Sequence, residues 1–456
     1  MRRLEVKAFR GDQYRAACKV AAVLRDAGHL TFFVGGCVRD ALLNRPVHDI
    51  DIASSAEPDE VERLFAGRTV NVGKSFGIMI VNQDGVLIDV ARFRSDGGYT
   101  DGRHPDAVSF STPERDALRR DFTINALFQE PESGEIVDFV GGREDLRNRL
   151  IRAIGDPVER FREDHLRMLR AVRFAAVLGF DLEPETRRAV AGHADWIQSV
   201  SEERIFKEIT RMLCEAPKPS TGLELLHETG LLRQLLPEVE ALRGVAQPPQ
   251  FHPEGDVWTH TCLMLDSAPA PRSPELAWSL LLHDIGKPAT FSVETMSDTG
   301  ERRIRFRNHA VVGAEIAKEI LLRMKCSNDF LHHVATVVSC HMSLHTLPKM
   351  RRSTVRRYLG MSEFPTLLEV LHLDLLHSTG DISIWQQMKE VFESFRNEPA
   401  LPPPLVTGND LLALGYKSGP AMGGLLRNLY DAQLEGRIHT KEEGIALLKS
   451  LSPGFP

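Results

Sequence analysis

Apolar residues recur at helical spacing over positions 11–27, where Ala17, Val20, Ala21 and Leu24 share one side and Gly28 closes the segment. The pattern then shortens. Residues 30–34 read as a strand entering the Gly35-Gly36 turn, 38–43 as a short helix and 49–53 as the next strand. Residues 59–65 are helical, with Pro58 suited to a helix start. Two further strands, 77–81 and 86–90, are joined through Asn82-Gln83-Asp84-Gly85, whose Asp-Gly pair is a hairpin signal. This mixture defines a small α+β unit ending near residue 150. After Asp156-Pro157 the pattern is almost wholly helical, most clearly over 166–178. Prolines at 217, 219, 248 and 249 interrupt it, a polar hairpin-like insertion spans about 291–305, and prolines at 399 and 402–404 set off a helical tail. The breaks give four segments: 1–150, 151–245, 246–395 and 396–456.

A chain of 456 residues exceeds one ordinary core and suggests about three domains. No run of about 18 apolar residues exists, so no membrane partner is expected. Residues 1–7 lack the apolar stretch and small-residue cleavage site of a secretory signal. Six scattered cysteines read as free thiols of a reducing, cytoplasmic compartment. The net charge of −7 does not announce a nucleic-acid binder, although a local basic strip can hold a phosphate backbone within an acidic protein.

The chemistry begins at Gly35-Gly36-Cys37-Val38-Arg39-Asp40, followed by Asp49-Ile50-Asp51. Alternate residues of a strand face one side, so Asp49 and Asp51 project together. Like charges so placed suit divalent cations and two-metal nucleotidyl transfer; taken alone, an exposed polar turn accounts for them too. Asp89, between Ile88 and Val90 on an apolar strand, is a third carboxylate, expected to be buried and to complete the set or orient an RNA 3′-hydroxyl; an edge-strand surface position is the other reading. Gly35 and Gly36 permit close backbone approach to a triphosphate. Residues 93–105 read as an aperiodic, mobile loop at a site rim. Arg119-Arg120-Asp121 precedes Asn125, and arginine forks match phosphate and ribose oxygens. One helix then supplies Glu163, Asp164, Arg167, Arg170 and Arg173. On it, Asp164 and Arg167 share a face, where carboxylate and guanidinium together match the edges of cytosine and adenine but not guanine or uracil. An ordinary ion pair between Glu163 and Arg167 explains the same spacing.

These motifs, in order and together with Arg120-Asp121-Phe122-Thr123-Ile124-Asn125-Ala126, Glu163-Asp164-His165-Leu166-Arg167 and Ser201-Glu202-Glu203-Arg204-Ile205, resemble the bacterial class II tRNA nucleotidyltransferase and poly(A) polymerase family, within the DNA polymerase beta superfamily. The resemblance covers about residues 20–240. It implies a polymerase-beta-like head with Mg²⁺ on Asp49 and Asp51, catalysis by these and Asp89, and nucleotide binding by Gly35, Gly36, Arg39, Arg120, Asp121, Asn125, Asp164, Arg167, Arg170 and Arg173. An all-helical neck, a body and a tail are expected to follow. Residues 94–103 resemble the loop needed for the final adenosine, so the implied activity is complete CCA addition to tRNA from CTP and ATP, not DNA. Adenosine-only addition and polyadenylation share the same motifs.

A second constellation starts at His260 and continues with His283-Asp284 after an apolar helical run, then His309, His341 and Asp374. Imidazole and carboxylate from separate helices suit a divalent transition metal or Mg²⁺ acting on phosphate esters. Residues 255–380 resemble the HD-type metal-dependent phosphohydrolase family. That likeness implies His260, His283, Asp284 and Asp374 as the primary metal ligands, His309 and His341 as the extra ligands of binuclear members, and activity on RNA ends. Lys287 is placed to steady a substrate phosphate. A stand-alone phosphohydrolase with a non-catalytic head is the competing enzyme reading, disfavoured by the intact Asp49, Asp51, Asp164 and Arg167. RNA backbone contacts are expected from Arg204, Lys207 and Arg211, from Lys349, Arg351, Arg352, Arg356 and Arg357, and from Lys417 and Arg427 in the tail, where Asn409 is read as a helix cap.

Overall fold

The structure, a computed structural model, describes residues 11–47, 49–73, 77–97, 107–296, 301–395 and 399–451. It divides into two compact units, Met1–Glu240 and Ala241–Pro456. In the first, α1 (Gly11–Asp26), β1 (Thr31–Val34), α2 (Gly36–Leu42), β2 (Asp51–Ser54), α3 (Pro58–Leu64), β3 (Thr69–Gly73), β4 (Ile78–Gln83) and β5 (Val86–Arg92) follow one another. Next come β6 (Arg94–Gly97), β7 (Ala107–Phe110), α4 (Pro113–Leu118), β8 (Leu127–Gln129), β9 (Ile136–Asp138) and α5 (Gly142–Asn148).

Seven strands form one sheet in the order β3-β4-β5-β2-β1-β8-β9. Only β2 and β5 run parallel within it, with Ile52 opposite Val90. One buried face explains the order: Ile52, Met79, Ile88 and Val90 turn inward, while Asp51, Leu87 and Asp89 face out. The β4–β5 hairpin closes as expected, with Asp84 and Gly85 both left-handed (φ 56° and 84°), the twist that matches paired strands. The segment read as an aperiodic loop instead starts as a strand, because β6 pairs with β7 from Arg94 opposite Phe110. Phe93 before it is core, packed with Phe32 and Phe128. Residues 98–106 of that reading lie outside the described residues.

Helices then dominate the first unit: after the short β10 (Leu150–Ile151) come α6 (Pro157–Glu163) and α7 (Leu166–Leu178). The short strand β11 (Asp181–Leu182) pairs parallel with β10. After it come α8 (Pro184–Gly192), α9 (Glu202–Glu215), α10 (Pro219–Glu228), α11 (Leu231–Leu235) and α12 (Pro237–Glu240). The expected single neck helix is two helices. Asp164 is extended (φ −147°, ψ 106°), so it does not share a helix with Arg167.

The second unit contains α13 (Val257–Ser267), α14 (Pro274–Leu282), α15 (Lys287–Thr290), the hairpin β12 (Phe291–Thr295) and β13 (Arg302–Phe306), α16 (His309–Arg323) and α17 (Asn328–Cys340). It continues with α18 (Arg352–Leu359), α19 (Phe364–His377), α20 (Ser383–Ser394), α21 (Gly408–Ala413), α22 (Pro420–Leu434) and α23 (Lys441–Leu451). The tail has its own core of Val406, Leu411, Tyr416, Leu429 and Leu448. Its first helix is capped by Thr407, in a capping box with Asp410, rather than by Asn409. Among the described residues no helix is long and apolar enough to cross a membrane.

Gly286 brings the turn after α14 against the start of α16. A Cβ there would strike the His309 carbonyl oxygen and lie 2.6 Å from the Gly313 nitrogen, both backbone atoms that cannot turn aside. Gly286→Ala is therefore expected to destabilise the second unit by about 3 kcal/mol, read as a lowered thermal midpoint.

Candidate active site and metal centre

Strand pairing assembles the acids of the head. Ile52 sits opposite Val90, so one residue back on both parallel strands Asp51 stands beside Asp89, outside the buried face. Asp49 lies just before β2, yet the alternation of exposed Asp49, buried Ile50 and exposed Asp51 reaches it. Asp89 is exposed, not buried as expected, because it occupies the outward position of β5. Desolvation, Asp89 and Asp49 raise the Asp51 carboxyl above the usual range, while Arg120 lowers it. The three sets of oxygens do not gather within 4.8 Å of one another, as like charges repel. Val34 pairs with Asp51, which puts Gly35 at the same sheet edge. Gly35 has φ 79°, and a Cβ on it would lie 3.1 Å from Arg120 Nη1.

Arg120 is held by Asp116, a buried acid that the sequence reading passed over. Asp116 Oδ2 accepts from Arg120 Nη2 at 3.0 Å and its Oδ1 from Arg119 Nη2 at 2.6 Å. Burial alone would raise the Asp116 carboxyl, but the two arginines outweigh it and hold it low. Arg119 and Arg120 are therefore both salt-bridged to Asp116.

Asp121, Asn125 and Arg39 join α7 by a chain of polar contacts. Arg39 Nη1 donates to Asn125 Oδ1 at 2.7 Å, and Asn125 Nδ2 to Asp121 Oδ1 at 3.1 Å. Arg170 grips Asp121 Oδ2 through Nε at 2.9 Å and Nη2 at 2.6 Å. Arg173 does not reach the open face: it is 2% exposed and paired with Glu208. The guanidinium carbons of Arg39, Arg170 and Arg173 lie 5.1, 5.2 and 4.0 Å from the centre of the Phe174 ring.

At the helix break, Asp164 Oδ2 accepts from Arg204 Nη2 at 2.9 Å, which takes Arg204 from its expected RNA role. Arg167 pairs with Glu163, as the ion-pair reading had it, and donates to the carbonyl oxygens of Arg160 and Arg119. Arg211 pairs with Glu215 at 2.8 Å. Lys207 is exposed. In the second unit, Arg356 and Arg357 are tied to Ala400 and Asp431, leaving Lys349, Arg351 and Arg352 as the exposed part of that patch.

Helix ends converge on the second constellation. His283 and Asp284 follow α14, where they end the apolar helix rather than interrupt it; His309 opens α16, His341 follows α17, and His260 and Asp374 come from α13 and α19. Asp284 Oδ2 lies 3.1 Å from His283 Nε2, and its Oδ1 lies 3.5 and 3.8 Å from Nε2 of His309 and His341. His260 Nε2 is 3.2 Å from Asp374 Oδ1. His283, His309 and His341 face backbone oxygens of Leu280, Phe306 and Val338 through Nδ1 at 2.9, 2.9 and 2.7 Å. A carbonyl only accepts, so Nδ1 carries the proton and the Nε2 lone pairs point inward. His260 Nε2 and His283 Nε2 are buried without a hydrogen bond. Burial drives His341 down to about 3, so it is a neutral donor, and both Asp284 and Asp374 are held well below the usual range by neighbouring histidines despite burial. Burial would lower His260, but Asp374 and Glu254 outweigh it and raise it to about 9, so a cation there would take the place of its proton, whereas the ionised Asp284 facing neutral His309 and His341 fits a divalent cation directly.

Three more residues shape this centre. Glu254 Oε1 accepts from His260 Nδ1 at 2.7 Å and His252 Nδ1 at 2.9 Å, and His345 Nε2 lies 3.1 Å from Asp374 Oδ2. His345 stands four residues after His341, a spacing visible in the chain; the loop pair His252 and Glu254 carries no periodic signal. Lys287 is buried against Asp284 Oδ2 and Gln247 Oε1, both at 2.6 Å, in place of the expected substrate contact.

Residues 31–152 match the Poly A polymerase head domain, 179–242 the probable RNA and SrmB-binding site of polymerase A, and 257–373 the HD domain. Fold and site together define a nucleotidyltransferase that carries an HD domain. The chain is 32% identical over 442 residues to a CCA-adding enzyme of Streptococcus thermophilus, covering 95% of this chain and 96% of that one. It belongs to the CCA-adding enzyme family. A Streptococcus gordonii CCA-adding enzyme is 44% identical over 233 residues, 51% of this chain and 57% of that protein. The crystal structure of a Bacillus stearothermophilus CCA-adding enzyme in complex with CTP is similar, with TM-score 0.75, 27% identity, and coverage of 97% and 98%.

The Asp121–Arg170 pair carries a pH signature. Burial raises the Asp121 carboxyl, but Arg170 and Asn125 outweigh it and bring it down to about 2. A depressed carboxylate stabilises the fold above its ordinary pKa, and that contribution fades as pH falls from about 4 through 2. Asp121→Asn is expected to cost about 2 kcal/mol at pH 7, with the difference from wild type narrowing below pH ~4 in chemical-denaturation series.

Proposed function

We propose that this protein adds C, C and A in turn to the 3′ end of tRNA, drawing on CTP and ATP without a nucleic-acid template. The observation that carries the reading is the pairing of β2 with β5, which sets Asp51 beside Asp89 on the outward side of the sheet, at the edge where Gly35 turns. Asp49 and Asp51, completed by Asp89, would hold Mg²⁺, which would supply positive charge opposite the triphosphate and the leaving pyrophosphate. Gly35 and Gly36 let the backbone approach the phosphates, with Arg120 locked alongside by Asp116. Asp89 accepts the hydrogen bond of the RNA 3′-hydroxyl and draws its proton. The hydroxyl oxygen then bonds to the α-phosphorus as the bond to pyrophosphate breaks.

Asp164 and Arg167 read the base. The carboxylate accepts from the amino group of cytosine or adenine and the guanidinium donates to the ring, a pattern that guanine and uracil do not present. Arg204 and Glu163 fix the two side chains before a nucleotide enters. Arg39, Asp121, Asn125 and Arg170 act one layer behind, holding the head sheet and α7 in register. The HD centre supplies a second activity, hydrolysis of phosphate esters at RNA ends. His260, His283, Asp284 and Asp374, with His309 and His341, would hold a divalent ion, which would supply Lewis-acid chemistry toward a phosphate ester. With six free cysteines, the protein fits the cytoplasm.

Incubation of tRNAs ending before CCA, before CA and before A with each single nucleotide tests the first activity. Ordered incorporation of C, C and A is expected; A-only incorporation or long A tails would replace the reading. Asp51→Ala and Asp49→Ala are each expected to lower transfer at least about a hundredfold with circular dichroism unchanged. For the HD centre, Asp284→Ala is expected to remove the Mn²⁺-dependent phosphatase activity and the share of calorimetric Mn²⁺ binding that belongs to this centre, while ordered incorporation of C, C and A by the head stays unchanged.

A further inference from the structure

The cavity in front of the histidine–aspartate cluster is larger than a bare phosphate ester needs. It measures about 890 Å³, toward the upper end of the roughly 300–1,000 Å³ usual for ligand pockets. His283, Asp284, His309, His341 and Asp374 line it, and so do Phe251 and β13. On a strand, Phe306, Ile304 and Arg302 share one face. The Phe306 ring lies 6.5 Å from that of His309, so this face starts at the cluster. Four steps of about 3.3 Å carry it roughly 13 Å outward to Arg302. Arg303 and Arg307 are committed to Glu301 and Glu294, whereas Arg302 has no ion pair among the described residues and is exposed. Phe251 lines the same cavity with 58% of its surface exposed, an unusual setting for a large aromatic ring.

We propose that Phe251 and Arg302 form a subsite that selects a phosphate-terminated single-stranded polynucleotide over a simple phosphate ester. The terminal phosphate lies on the cluster, the terminal base stacks on Phe251, and a phosphate further back along the strand meets the Arg302 fork. The inference rests on reading the cluster as a phosphohydrolase centre. An aromatic face accepts any base, and a guanidinium on a strand edge reaches a backbone oxygen without reading sequence, so the subsite recognises the polymer rather than a particular base. A small ester engages the cluster alone and gains nothing from either residue.

The test uses the full chain with Mn²⁺ and compares p-nitrophenyl phosphate with a trinucleotide bearing a 3′-phosphate. Phe251→Ala and Arg302→Gln change exposed side chains, so both variants are expected to fold. Each should raise KM for the trinucleotide roughly tenfold with kcat nearly unchanged, while p-nitrophenyl phosphate kinetics stay within about twofold. Fluorescence anisotropy of a labelled trinucleotide should show a matching loss of affinity, with EDTA present as well. Unchanged KM and affinity in both variants overturn the proposal, as does a parallel fall on both substrates. If wild type hydrolyses neither substrate, the phosphohydrolase reading fails, and the anisotropy comparison alone decides whether the subsite exists.

Discussion

A charged group taken out of water must be met by an opposite charge or by donors, and both units are organised around that constraint. In the first unit it takes the form of a relay running from Arg39 through Asn125 and Asp121 to Arg170, then to Glu208 and Arg173, wrapped about Phe174. Three of these side chains, Arg39, Asn125 and Asp121, come from the head, the others from α7 and α9. Removing any carboxylate would strand a buried guanidinium, so the relay fixes where the neck stands relative to the sheet.

The second unit meets the same constraint differently. Asp284 is surrounded by His283, Lys287, His309 and His341, and Asp374 by His260 and His345. Only some of these partners carry charge. Lys287 meets Asp284 and His260, raised to about 9 by Asp374 and Glu254 against its burial, meets Asp374, while the neutral His341 adds a lone pair and no charge. In the head the acids instead sit on the outward side of the sheet, where desolvation and the neighbouring Asp89 raise the Asp51 carboxyl.

Much of this was legible in the chain. The strands of the head were readable because alternation and the Asp84-Gly85 turn are local signals; His283-Asp284 stood out because it closes an apolar run, whereas the roles of His260, His309, His341 and Asp374 were implied by the resemblance to the HD family alone. What escaped notice depends on distance in the chain. Charges at helical spacing from Glu163 to Arg173 suggested one continuous helix, yet the extended Asp164 breaks it, a backbone choice that spacing does not encode. Arg173 looked like its neighbours, and only Glu208, thirty-five residues on, makes its burial possible. Asp89 was taken for an inward residue because its neighbours are apolar, whereas the alternation itself puts it outside. Asp116 and Glu254 carry no local mark at all; their roles come from partners assembled by the fold.

The spacing of Asp51 and Asp89 is set by main-chain hydrogen bonding between two parallel strands, not by the side chains or a loop. The placement of this proposed acid pair therefore inherits the stiffness of the sheet. The same arrangement makes the centre unforgiving of indels: a single residue gained or lost within β5 ahead of Asp89 would present Ile88 or Val90 to the nucleotide and drive the acid into the core.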